Sequence, residues 1–516
     1  MSETKDTEME INTPDETKET GAALPFVAML MVVLLGIAAF AIDLGWLYLN
    51  GARLQRAADS SALAGVVYLP ADIPNVVDKA IDGASANGWD VGTVNGTPIA
   101  GGGPDDLEWQ QLADNKLEVT LSTTIPTFFL KVLGFETFDI TRVATAEYVK
   151  PVPMGSPSAC FGLGGFAASS LPANLSHCSA YTMNFWAAIN GPHTAKEHGD
   201  PFAVECITAN SGGCTGGGPN TDDFRPQGYY YGIEVPSGKT SFTVRIFDAA
   251  FYDRANFQTE TGDGDGLGNS ANGGMTTRYF LYAPDATPQN PQDNSVLLCS
   301  SPSYTSQYQD GNNSLTTKNR WRDLCTINSP AADAIYVLRV QSTGSTGGNN
   351  SYSIGVATGP DSAPRARVYA INDMSIFTNA NAGTAVVYLA EVEAIHAGKI
   401  LELSFYDPGE NLQPGANAWV EVKTPGGATP QCSWVSRNDS GTQTGSGSGN
   451  CRIKSTTNAV PAFNAQWLTA TIEIPDNYSC SSDCFWKMHL DMAGSQDRTT
   501  WSARVIGNPV RLVPNE

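Results

Sequence analysis

The sequence predicts a mainly β protein that begins with one N-terminal transmembrane α-helix. Charged residues make up only 16% of the 516 residues, and Gly, Asn, Ser and Thr are abundant. That composition is typical of β-sheets joined by polar loops. An uncharged apolar run occupies Ala22–Ile42, and a series of short β-type segments recurs in the same order after about residue 220. The run predicts the helix, and the recurring segments predict two tandem β-sandwich or jelly-roll-like domains.

Composition changes along the chain predict six successive regions. The first twenty residues are acidic and almost without apolar side chains, so we expect them to be disordered. The formal net charge of −22 excludes a nucleic-acid partner, since no basic stripe offsets it. The predicted regions are a disordered acidic cytoplasmic tail (1–20), a transmembrane and juxtamembrane helix (21–68), a small membrane-proximal α+β region (69–150), a Cys/Gly-rich loop segment (151–219), a first β-sandwich repeat (220–360) and a second β-sandwich repeat (361–516).

The apolar run predicts an uncleaved membrane anchor. Ala22–Ile42 has 21 residues without a charge, and a helix needs ~20 residues to span a bilayer. A secretory signal peptide is the competing interpretation, but it has a basic start and an apolar core of ~7–15 residues. Here the preceding segment is acidic and the core is longer. We therefore expect a single-pass protein.

Asp43 directly follows the apolar run and is unusual there. A carboxylate near a membrane is costly and often marks a functional contact. Ala41 and Gly45 form a pair of small residues spaced for close packing against another helix. Two interpretations stay open: Ala41, Asp43 and Gly45 contact a partner helix, or Asp43 is hydrated at the membrane surface.

The cysteines predict disulfide bonds in an oxidising compartment. Their number is even, and all ten follow residue 159. Arg53 and Arg56 follow the helix, and the positive-inside rule would place that side in the cytoplasm. That rule is weakest for long domains, so the cysteines carry more weight and predict an extracytoplasmic C-terminal domain. They are Cys160, Cys178, Cys206, Cys214, Cys299, Cys325, Cys432, Cys451, Cys480 and Cys484.

An internal repeat predicts the tandem domains and part of the disulfide pairing. Tyr231–Val235 corresponds to Tyr388–Val392, and a Gly-Lys pair and an aromatic-Asp pair follow in both copies. Two cysteines come next in each copy. The correspondence predicts the bonds Cys299–Cys325 and Cys432–Cys451. Sequential pairing would add the bonds Cys160–Cys178, Cys206–Cys214 and Cys480–Cys484.

Two stretches around the membrane segment resemble a known family. Ala38–Tyr48 contains Asp43-Leu44-Gly45, and Leu54–Gly65 reads Leu-Gln-Arg-Ala-Ala-Asp-Ser-Ser-Ala-Leu-Ala-Gly. This pattern resembles the N-terminal region of TadG-like proteins of the Tad/Flp pilus-assembly system, over about residues 22–149. The resemblance implies anchoring in the cell (inner) membrane, an extracytoplasmic C-terminal part and other Tad/Flp pilus-assembly proteins as partners. Prepilin processing is not expected, because Phe26 stands where prepilins carry Glu.

Calcium is the one cofactor that the sequence suggests. Asp263 and Asp265 alternate with glycines, and Asp248 and Asp253 precede them, so their oxygens could bind Ca²⁺. The alternative is a solvated acidic turn, since no Glu closes the motif. A nucleophile elbow, a phosphate-binding loop and a zinc quartet are all missing from the sequence, which predicts a protein that is not an enzyme.

The favoured function is therefore a membrane-anchored protein that scaffolds pilus assembly or mediates surface adhesion. The alternative is a membrane-tethered module that binds glycan or peptide and is unrelated to pili. Tyr229–Tyr231 could stack on a sugar, although aromatic residues in sandwich strands are more often core residues.

Overall fold

The structure is a computed structural model, and its described residues form two compact units. The first lies within Met1–Val66, Pro74–Glu147 and Leu512–Glu516, and the second within Val67–Ile73 and Tyr148–Arg511. The described residues are 23–69, 73–113, 115–148, 152–181, 185–192, 224–248, 251–252, 265–266, 275–285, 290–302, 304–305, 320–331, 334–344, 349–379, 385–409, 418–438, 440–457, 460–491, 496–506 and 510–514.

The first unit places the N-terminal helix on one antiparallel-rich sheet. The sheet order is β2-β1-β3-β4-β5, and the last strand of the chain, Val510–Val513, extends it beside β5. A short 3-10 helix, Leu130–Leu133, lies in the connection between β4 and β5. The elements are α1 (Ala23–Val66), α2 (Ile73–Ala86), β1 (Val91–Val94), β2 (Thr97–Pro98), β3 (Asp105–Ala113), β4 (Lys116–Pro126) and β5 (Thr137–Tyr148).

Residue patterns explain why α1 packs on β4. Side chains of β4 alternate between buried and half-buried, which puts Leu117 and Val119 on the covered face. On α1, Leu54, Ala58 and Ala62 are wholly buried and recur at helical spacing. Because alanines are small, they let the helix backbone approach the sheet closely.

The second unit consists mainly of short strands. Besides the strands it contains α3 (Gly165–Ser169) and 3-10 helices at Ala173–Tyr181 and Ala394–His396. The strands are β6 (Cys160–Phe161), β7 (Phe185–Asn190), β8 (Tyr229–Glu234), β9 (Ser241–Asp248), β10 (Phe251–Tyr252), β11 (Asp265–Gly266), β12 (Met275–Tyr282), β13 (Leu297–Ser300), β14 (Tyr304–Thr305), β15 (Arg320–Asn328), β16 (Ile335–Gly344), β17 (Asn349–Gly359), β18 (Arg367–Ile371), β19 (Asp373–Asn379), β20 (Ala385–Glu391), β21 (Ile400–Tyr406), β22 (Trp419–Lys423), β23 (Gln431–Asn438), β24 (Gln443–Asn450), β25 (Arg452–Lys454), β26 (Thr456–Thr457), β27 (Val460–Pro461), β28 (Gln466–Glu473), β29 (Phe485–Asp491), β30 (Gln496–Ile506) and, at the boundary with the first unit, β31 (Val510–Val513).

These strands build two sandwiches with the same strand order. In the first, one sheet contains β12-β16-β8 and the other β15-β9-β17-β7. In the second, the corresponding runs are β22-β29-β20 and β28-β21-β30-β19. Seven strands therefore correspond one to one in chain order, as expected for tandem copies of one domain. One hydrophobic core continues through both sandwiches.

The two sandwiches share a continuous sheet. The strand β7 of the first pairs antiparallel with β19 of the second, in the register Ala187 to Ile376 and Ala188 to Ser375. The segment before β7 joins the other sheets, because Met154 bridges to Ala370 and Gly155 to Tyr388. Residues of 151–219 thus belong to the ordered sandwich structure as well as to loops.

Among the described residues, four disulfide bonds stabilise the second unit. They join Cys160 to Cys178, Cys299 to Cys325, Cys432 to Cys451, and Cys480 to Cys484. The sequence predicts the same four pairs; Cys206 and Cys214 lie outside the described residues. The second bond links β13 in one sheet to β15 in the other, and the third links β23 to the residue before β25. The second bond therefore connects the two sheets of the first sandwich, whereas Cys451 of the third lies between β24, in the same sheet as β23, and β25, in the other sheet. Each of these two bonds contributes about 2–4 kcal/mol.

Candidate functional site

The helix α1 changes character about halfway along its length. From Leu24 to Leu49 nearly every side chain is exposed, whereas from Asn50 onward one face is buried against the sheet. By length and composition, Leu24–Val66 is the one described helix that could cross a membrane. The exposed part contains the apolar run. No described part of the protein covers this surface, as expected if it contacts the lipid hydrocarbon.

Asp43 lies at the end of the exposed run and is wholly buried. Its carboxylate accepts three backbone hydrogen bonds, from the N–H groups of Phe128 and Phe129 at 2.9 Å and of Leu130 at 2.6 Å. Phe128 and Phe129 precede the 3-10 helix and Leu130 is its first residue, so these N–H groups have no acceptor within the helix. Asp43 therefore fixes the loop Thr127–Glu136, which joins β4 to β5, to the side of α1.

The loop is also closed by its own hydrogen bonds. The Thr127 hydroxyl donates to the Phe135 carbonyl at 2.6 Å, and the Thr127 N–H donates to the Glu136 carbonyl at 3.0 Å. Gly134 has φ of +91°, a left-handed conformation that costs glycine little. The loop is thus a compact structure rather than an extended connection.

Aromatic and apolar side chains cover the outside of this loop. The Phe128 ring meets the Trp46 ring edge-on, with centroids 5.3 Å apart. Phe135 stacks on Phe138 at 6.2 Å. The exposed apolar residues of the loop are Phe128, Phe129, Val132, Leu133 and Phe135. They form one apolar surface beside the exposed half of α1, which we call the loop patch.

The sequence identified Asp43 but not its partner. The structure places Ala41 and Gly45 on the exposed part of α1, where a Cβ added to Gly45 would meet nothing within 4 Å. Packing of a partner helix through these two residues stays a prediction. The sequence signal near this contact was the mostly apolar stretch Phe128–Leu133. Sequence alone could not show that its backbone N–H groups face residue 43.

The proposed calcium ligands are only partly described. Asp253 and Asp263 lie outside the described residues, whereas Asp248 ends β9 and Asp265 begins β11. Among the described residues, no group of three or more His, Cys, Asp or Glu side chains could hold a metal ion. Calcium binding therefore stays a prediction. A calcium titration followed by thermal melting tests it, and an unchanged melting temperature would contradict it.

The tyrosine cluster belongs to the core. Tyr229, Tyr230 and Tyr231 are all buried. The Tyr231 hydroxyl lies 2.7 Å from the Tyr352 hydroxyl, and burial raises the pKa of both phenols. The Tyr229 and Tyr231 rings therefore pack in the core of the first sandwich, whereas Tyr230, the residue between them, points to the opposite face of the strand.

The fold and the site are those of a β-sandwich protein with an N-terminal helix suited to anchor it in a membrane. Residues 21–69 match the family described as "Putative Flp pilus-assembly TadE/G-like". The match confirms the resemblance seen around Asp43 and spans the anchor and the start of the packed helix. The apolar helix and this match fit a membrane-anchored protein whose N-terminal segment is TadE/G-like.

Other comparisons add little. No match was found among curated proteins. Coconut allergen cocosin is 8% identical over 55% of this chain and 76% of its own, with a TM-score of 0.10. The tandem CBM22 domain of Paenibacillus barcinonensis Xyn10C is 9% identical over 54% and 79%, with a TM-score of 0.08. Scores this low carry no argument about fold or function.

Proposed function

We propose that this protein is an extracytoplasmic component of a Tad/Flp pilus system, held in the inner membrane by α1. In this proposal it scaffolds pilus assembly or supports surface adhesion, and it works by binding rather than by catalysis. The observation that carries the proposal is the family match at residues 21–69, which falls on the helix that is long and apolar enough to span a membrane.

Disulfide chemistry supports the proposed orientation. The described part of the second unit contains four disulfide bonds, and such bonds persist in oxidising compartments outside the cytoplasm. Arg53 and Arg56 are exposed near the end of the membrane segment and would favour the opposite orientation. A large domain follows them, and long domains cross the membrane largely regardless of such charges.

The exposed half of α1 supports the proposed partners. Ala41 and Gly45 lie one turn apart with open space around them, and small residues at this spacing allow two helices to approach closely. In this proposal, another membrane helix of the pilus machinery packs there. The sandwiches then carry the binding surfaces outside the membrane.

Deletion and complementation in the producing cells test the proposed function. We expect deletion to reduce the number of surface pili or the attachment of cells, and the full chain to restore both. Deletion that leaves pilus number and attachment unchanged would contradict the proposal. Protease treatment of spheroplasts tests orientation separately: the second unit should be digested before lysis, while a cytoplasmic marker survives.

A further inference from the structure

The loop patch is an apolar surface without protein cover in the described structure. Val132 is 82% exposed and Leu133 is 73% exposed, and the three phenylalanines beside them are about half exposed. Scattered apolar residues are normal on protein surfaces, but a larger apolar group marks a site that binds another protein, a ligand or a membrane. The position of the loop indicates which of these it binds.

Asp43 sets the position of the loop relative to the membrane segment. The run Ala22–Ile42 ends one residue before Asp43. At ~1.5 Å per residue this run is ~30 Å long, which matches the thickness of the hydrocarbon layer. Three hydrogen bonds hold the loop to the Asp43 carboxylate. The loop therefore lies at the level where α1 leaves the hydrocarbon layer.

The loop also has the chemistry of a segment that enters a membrane surface. Much of its backbone is hydrogen-bonded, since the N–H groups of Val132, Gly134 and Phe135 donate to the carbonyls of Phe129, Lys131 and Leu130. Apolar surroundings require such pairing. Trp46 lies against the loop, and tryptophan is enriched at membrane interfaces. Lys131 is exposed and can extend its cation to lipid phosphates.

We propose that the loop patch inserts into the boundary between lipid headgroups and hydrocarbon beside α1, and thereby sets the depth of the anchor. The proposed occupant is the lipid bilayer, because the patch continues the bare apolar surface of α1. This inference rests on the membrane anchoring contained in the proposed function. Asp43 acts in it as a positioning residue that ties the loop to the helix at a fixed level.

Depth-dependent fluorescence quenching tests this inference on the full chain. Leu133→Cys and, separately, Val132→Cys are labelled with an environment-sensitive fluorophore, without reduction of the disulfides. Gln110→Cys, at an exposed position of β3, is the matched control in the same unit. Each protein is reconstituted as one copy per phosphatidylcholine nanodisc, so that a second copy cannot cover the label.

We expect lipids with a nitroxide near the headgroup to quench the labels at 133 and 132 several-fold more than the label at 110. Aqueous iodide should give the opposite order. Equal behaviour of all three labels would overturn the inference, as would labels at 132 and 133 that iodide reaches freely. Failure of the proteins to enter nanodiscs at all would instead contradict the membrane anchoring in the proposed function.

Discussion

The two halves of α1 differ in sequence, and the structure covers only the second with other parts of the protein. Residues 24–49 are almost entirely exposed, whereas Ala57, Ala58 and Ala62 in the second half have no exposed surface. The face of the second half that meets the sheet consists largely of small residues, and its other positions include Arg53, Arg56 and Asp59, whereas residues 24–42 carry no charge on any face. A run without charge on any face therefore identifies a segment suited to lipid, whereas small residues on one face and charged residues on another identify a segment suited to pack on protein.

Glycines in the two halves show the same contrast. A Cβ added at Gly36 or Gly45 would meet nothing within 4 Å. At Gly65 the same atom would lie 2.8 Å from the Val76 carbonyl oxygen, and at Gly83 of α2 it would lie 2.7 Å from the Ser61 Cα. The packed half is thus intolerant of added atoms, and the exposed half has room for a partner.

The largest expected effect is at the contact between α2 and the packed half of α1. Gly83→Leu would push the two backbones apart, and we expect it to lower the free energy of unfolding of the first unit by about 3 kcal/mol. Native-state hydrogen exchange in detergent micelles measures this. Gly36→Leu is the control and should leave exchange of the first unit unchanged; equal losses for both variants would contradict the comparison.

The next largest effect is expected at the boundary between the two halves, on the hydrogen exchange of the loop that Asp43 holds. Asp43→Asn leaves one acceptor oxygen for three N–H donors, so we expect the amides of Phe128, Phe129 and Leu130 to exchange at least tenfold faster. Hydrogen exchange with mass spectrometry measures this. Asp59→Asn is the control, because Asp59 accepts a bond from the Gln55 side chain rather than from the loop. Unchanged exchange in D43N would show that the loop is held without this carboxylate.

A smaller effect is expected at Gly65, where only one methyl group is added. Gly65→Ala gains helix propensity but must displace the Val76 carbonyl, and we expect a net loss of about 1 kcal/mol in the free energy of unfolding of the first unit. Gly45→Ala is the matched control without a close neighbour. A stabilised G65A protein would mean that α2 adjusts without cost.

The smallest effect on folding is expected in the exposed half. Ala41→Leu should change the free energy of unfolding by less than about 0.5 kcal/mol, because the side chain has no protein neighbour to displace. If a partner helix packs on this face, the same variant should nevertheless lose co-purification with it. Ala62→Leu, in the packed half, should instead destabilise the first unit. Similar melting curves for the two variants would contradict the difference in packing between the two halves of α1.

The sequence by itself determined the features that depend on local composition and order. The uncharged run Ala22–Ile42 identified the anchor, because crossing a bilayer needs only length and the lack of charge. The ordered repeat identified two β domains and the pairs Cys299–Cys325 and Cys432–Cys451. The inferences from the repeat hold because equivalent residues in two copies of a domain occupy equivalent positions in its fold.

Tertiary structure alone decided which distant segments meet. Asp43 binds N–H groups 85 to 87 residues away, and β7 pairs with β19 so that two predicted domains share a sheet. Tyr229 and Tyr231 of β8 also turn out to lie in the core rather than on a surface open to solvent. Backbone N–H groups are the same at every residue, and strand register depends on contacts far along the chain. The sequence therefore shows what must be covered or paired, and the fold determines by what.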